Sequence, residues 1–140
     1  MNAWRSRVDP AIERIVAARA LVPCIDDDTW DALCAAIDGL PFPPAYQVKT
    51  LQAHTAYPLE LAAAPDYHGD WGQTPEAELG THVEWIRIAP RYRRLAGRLL
   101  PPVIDDCSDD LRRVLQALAI EFEEDAGFFV VRGYVHGAAG

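Results

Sequence analysis

Four residues of metal-ligating type fall in the middle of the chain: His54, His68, Asp70 and His82. None pairs at the i, i+4 spacing that sets two ligands on one helical face. His68 and Asp70 share a face only in an extended segment, and the intervening Gly69 weakens that geometry. Loop histidines that touch solvent are the expected state, and neither a metal nor any other cofactor is implied.

Acid–base chemistry needs carboxyl groups whose surroundings push their pKa values apart. Asp105-Asp106 precedes a helix start, and Glu121, Glu123 and Glu124 fall on a hairpin. Capping and solvation account for both. A nucleophile is conceivable at Cys107, ahead of a helix whose dipole would favour a thiolate. Its general base would have to be a histidine distant in sequence, His82 or His136. A small hydrolase or transferase built on Asp105, Cys107 and a histidine is therefore one alternative. A second is a nucleic-acid-binding regulator using Arg87, Arg91, Arg93, Arg94 and Arg98, with Trp85 and Tyr92 interleaved. Pairing of these arginines with the chain's own carboxylates is the simpler expectation. No Walker A or G-x-G-x-x-G sequence is present.

What remains is an acidic, aromatic segment, residues 60–78, carrying Asp66, Tyr67, Asp70, Trp71, Glu76 and Glu78. Rings that supply desolvated area among carboxylates that steer approach are what protein interfaces use. The competing reading has Tyr67 and Trp71 folding inward to cap the core, and the two stand level.

These residues need a scaffold, and 140 residues with half of them hydrophobic and a quarter charged suit one globular domain. Asp9-Pro10 opens a helix over residues 10–20 with Ile12, Ile15 and Val16 as its stripe. Asp28 is expected to cap a second helix on which Trp30, Leu33, Cys34 and Ile37 line up, with Gly39 as a left-handed stop. A strand over 46–51 follows the stiff Pro41-Phe42-Pro43-Pro44 connector, then a long segment, 53–80, broken by prolines and glycines. Residues 82–88, apolar on both faces, read as a central strand that Pro90 ends. Ser108 is expected to cap a third helix with Leu111, Val114, Leu115 and Leu118 on one face. A hairpin of residues 120–122 and 128–135 turns at Asp125-Ala126-Gly127. The fold class is thus α+β: a two-layer single domain over 1–140, with three helices and a mostly antiparallel sheet of about four strands. Its ends, 1–8 and 137–140, are expected to fray.

Net charge is −8, divided as +2 over residues 1–23, −9 over 24–80, +4 over 81–100 and −5 over 101–140. Acidic balance disfavours nucleic acid and anionic membranes and favours basic protein partners. The start of the chain has neither the apolar run of a signal peptide nor that of a membrane span. Cys24, Cys34 and Cys107 share no CxxC spacing, so buried free thiols in a cytoplasmic protein are expected.

Several of these stretches together resemble a family of small bacterial proteins whose function is unassigned. They are Asp28-Thr29-Trp30, Pro41 to Pro44 leading to Val48-Lys49, Gly69-Asp70-Trp71-Gly72, Glu84-Trp85-Ile86, Pro90-Arg91-Tyr92, Gly97-Arg98-Leu99, Pro102 to Ser108, and Arg132-Gly133-Tyr134. The resemblance covers residues 21–134 and brings no catalytic residues with it. It implies an immunity role, since members of such families can be encoded beside secreted toxins. The expected function is a non-catalytic protein-binding module that neutralises a basic toxin or effector.

Overall fold

The computed structural model describes residues 9–71 and 79–137. Helix α1 spans Pro10–Ala18, and the Asp9 carboxylate accepts a hydrogen bond from Ala11 N at 2.8 Å. It stops two residues short of the expected end because Ala20 takes a left-handed φ of 52°. That turn sends the chain into β1, Leu21–Pro23, a short strand the sequence did not announce.

Helix α2 spans Asp27–Ile37 and buries Trp30, Leu33 and Ile37. Its cap is Asp26 rather than Asp28: the Asp26 carboxylate accepts from Thr29 N at 2.7 Å. Gly39 is not left-handed, because Asp38 still holds a right-handed helical conformation and the helix simply runs out into Pro41.

The main sheet has four antiparallel strands in the order β2-β3-β7-β6: Ala45–Thr50, Val83–Ala89, Phe128–Arg132 and Glu123–Asp125. Strand β3 is central, as its apolar run requires, with Ile86 opposite both Val48 and Val131. The β6–β7 turn places Ala126 and Gly127 at positive φ, 53° and 86°, the conformation a two-residue hairpin demands. The first hairpin strand is residues 123–125 instead of 120–122. The second is interrupted at Gly133, where a side chain would meet Val83 O at 2.2 Å. Beyond that break β8, Tyr134–His136, leaves the sheet and pairs with β1.

Helix α3, Ser108–Ala117, buries Leu111 and Leu115 completely. Cys107, not Ser108, holds the cap position, and the Asp106 carboxylate accepts from Ser108 N at 2.7 Å. Helices α2 and α3 cover one face of the sheet. Trp30, Leu33, Ile37, Leu111 and Leu115 there meet Ile86, Ile88, Phe129 and Val131. This is the two-layer α+β arrangement read from the pattern of elements.

Two features lie outside that frame. Residues 91–106 form a separate two-stranded ribbon, β4 at Arg91–Arg94 and β5 at Val103–Asp106, so Pro90 ends β3 only to begin another strand. Glu84, on β3, bridges Arg19 beyond α1 at 3.0 Å and Lys49 on β2 at 2.9 Å. Its hydrogen bonds to Arg19 and Lys49 hold the Glu84 carboxyl down at about 2.

Candidate functional site

The segment 53–71 has almost no regular structure, yet it is tied to the body at several points. Tyr57 exchanges two 2.9 Å backbone hydrogen bonds with Val48, extending the sheet past β2 by one bridge. The buried Gln47 side chain donates to Pro58 O at 2.9 Å and Leu59 O at 3.0 Å. Leu61 packs with Ala45, Ala89 and Phe128. The segment thereby covers the backbone of β2, which would otherwise be an open edge.

Its far end is seated on the proline connector. Gly69 N donates to Pro43 O at 3.0 Å, and a side chain at position 69 would lie 2.0 Å from Pro44 O. Only glycine permits that approach. Trp71 Nε1 donates to Pro44 O at 2.7 Å, and the Tyr46 hydroxyl donates to Asp70 O. Burial first, then the Asp70 charge, pushes the Tyr46 hydroxyl up to about 12, so it stays protonated and remains a donor. Phe42, His68 and Tyr92 stack beside this seat, with His68 and Tyr92 centroids 4.4 Å apart. Pro41 to Pro44, Gly69 to Trp71 and Tyr92, far apart in sequence, meet here.

The two readings of the aromatic residues therefore divide. Trp71 is 7% exposed and belongs to the core, so it is not an interface anchor. Tyr67 is 47% exposed. Asp66 and Asp70 are exposed too, Asp66 lying 3.6 Å from the Arg93 guanidinium. Glu76 and Glu78 lie outside the described residues. Two residues missed in the sequence join the outward side: Tyr57 at 79% exposed and Leu59 at 73%. Both flank Pro58, and a proline between two large apolar residues in a segment that must cover a strand edge was the available signal. Tyr57, Leu59 and Tyr67 thus stand outward on a segment that also carries the exposed Glu60, Asp66 and Asp70.

The other candidates are not assembled among the described residues. Among the described residues no three of His, Cys, Asp or Glu come together as a metal would need. Cys107 is 1% exposed, and burial, reinforced by Asp106 and Asp110, pushes its thiol up to about 12. That is the reverse of an activated nucleophile. Asp105 sits on β5, paired with Arg94 at 2.8 Å. Cys24, expected to be buried, is exposed beside Glu121 and Arg132, and desolvation raises its pKa. In the arginine cluster Arg91 pairs with Asp106 at 3.2 Å, while Arg87 lies 3.8 Å over the Phe128 ring. Internal pairing thus engages most of the cluster, chiefly with β5 rather than with the acidic segment.

A family model described as a family of unknown function, DUF6678, matches residues 12–138, and the chain belongs to that family. Comparisons with curated proteins and with solved structures return no match. No helix among the described residues is long and apolar enough to cross a membrane.

Proposed function

We propose that this protein is a non-catalytic protein-binding module, and specifically an immunity protein that neutralises a toxin or effector in the cytoplasm by direct binding. The observation that carries it is the outward side of residues 57–70. Three large apolar side chains, Tyr57, Leu59 and Tyr67, stand exposed among three carboxylates on a segment pinned from beneath. A pinned segment loses little conformational entropy on binding, so its exposed rings convert more of their burial into affinity. The acidic balance of residues 24–80 suits a basic partner, as many nuclease toxins are, and accelerates encounter at low salt.

Co-expression with the product of the neighbouring gene tests it. Survival of cells that the neighbour alone kills, together with co-elution of the two chains on a sizing column, is the expected outcome. The absence of both rescue and complex overturns the immunity reading.

A further inference from the structure

The ribbon β4–β5 ends in a tip on which every residue from 93 to 102 is exposed. Leu95, Leu99 and Leu100 are 79, 95 and 61% exposed, and Ile104 on β5 follows at 48%. A single bare leucine needs no explanation, but a group of them on one hairpin marks a surface that is covered in use. The tip is ordered by its own contacts: Leu100 N donates to Gly97 O at 3.4 Å, and the Leu100 side chain packs over Gly97. Arg93 and Arg94 each leave 48% of the side chain exposed but are paired within the chain, with Asp66 at 3.6 Å and Asp105 at 2.8 Å. Arg98 makes no ion pair among the described residues. The tip is therefore apolar and, at Arg98, positive on a chain whose net charge is −8.

A cleft of about 460 Å³ between α1, β1 and the start of α2 has the opposite character. Ile12, Val16, Leu21 and Ile25 line it, and Glu13 and Asp26 stand at it with exposed carboxylates. An apolar knob carrying Arg98 and an apolar socket rimmed by Glu13 and Asp26 are complementary in both shape class and sign. The tip is exposed, so it does not fill the socket of its own chain.

We propose that the β4–β5 tip is a self-association knob whose partner is a second copy of this chain: Leu95, Leu99 and Leu100 enter the α1–β1 cleft, and Arg98 faces Glu13 and Asp26. Knob and socket are different patches, so the pair closes if each tip fills the other's socket and otherwise repeats head to tail. The two surfaces adjoin where Arg93 meets Asp66 and Pro65 O, but Leu99 and Tyr67 lie on different segments and test them independently.

Sedimentation of the full chain over a concentration series, at low and high salt, tests this. The expected result is a mass that rises above the monomer with concentration and falls back with salt. Leu99→Asp should weaken association by about tenfold or more, because a buried leucine is replaced by a charge at an acidic rim. With Leu99 already in solvent, the melting curve of that variant should match the parent. Glu13→Arg alone should weaken association, and Glu13→Arg combined with Arg98→Glu should recover most of the loss. A parent chain that stays monomeric at every concentration overturns the proposal and leaves the tip to a different protein. So does association that survives Leu99→Asp, or that responds to Leu99→Asp but ignores Glu13→Arg.

Discussion

Two surface regions reverse the usual association of regular structure with burial. The segment 53–71 lacks repetitive structure yet is tied to the body by Gln47, Pro43, Pro44 and Tyr46 and contributes Leu61 and Trp71 to buried clusters. The β4–β5 ribbon is regular, with a four-residue register and ion pairs along it, and meets the segment at Tyr92 and Arg93, yet every residue from 95 to 102 is exposed. What decides burial is where side chains and orphan backbone groups find partners, not whether the backbone repeats. The segment finds them in the β2 edge and the prolines; the ribbon pairs its strands with each other, donates Arg93 N to Pro65 O of the segment, and leaves its leucines outside.

Truncation at the two places gives the largest contrast. Trp71→Ala removes a buried ring and the hydrogen bond to Pro44 O, and should cost about 3–5 kcal/mol in urea unfolding. Leu99→Ala, at 95% exposed, should change stability by under about 0.5 kcal/mol. Equal losses would mean that the segment is not held as described.

A smaller effect concerns Glu84, which anchors neither region and so isolates the electrostatic contribution of the sheet. Its folded pKa, about 2, lies below the ordinary value of 4.5. Its contribution is thus complete above about pH 4.5 and is lost as pH falls toward 2. Glu84→Gln should destabilise by about 1–2 kcal/mol at neutral pH, where Arg19 and Lys49 lose their shared partner. The difference from the parent should shrink as pH falls from 5 to 2. Asp26, Asp106 and Glu124 are also depressed, so the parent-minus-variant difference, not the parent curve, carries the information. A constant difference across that range would contradict the Glu84 assignment.

How far the sequence reveals this structure depends on where the stabilising contacts lie. Helix α2 is legible because Trp30, Leu33 and Ile37 fall at helical spacing and all three are buried. The central strand β3 is legible because residues on both its faces are covered. The start of α2 was misplaced because Asp26, Asp27 and Asp28 are chemically equivalent caps, and only backbone geometry chooses Asp26. The β4–β5 ribbon was missed because Arg91–Arg94 alternates nothing apolar. Its partner, Val103–Asp106, follows two prolines that read as loop. Strands β1 and β8 are three residues each and depend on a pairing between opposite ends of the chain. At the candidate site the outward carboxylates were legible from composition. The inward turn of Trp71 was not, since it depends on Gly69 meeting Pro44 across 25 residues of sequence.

The most direct test of protein binding through the segment is titration of the purified neighbouring-gene product with parent and variant chains. Tyr67→Ala and Asp66→Lys change exposed side chains and should alter folding stability by under about 0.5 kcal/mol. They should nonetheless weaken binding by about tenfold or more, more strongly at low salt for the charge change, while Leu99→Asp leaves binding intact. Binding that both segment variants leave unchanged and Leu99→Asp abolishes would contradict the account.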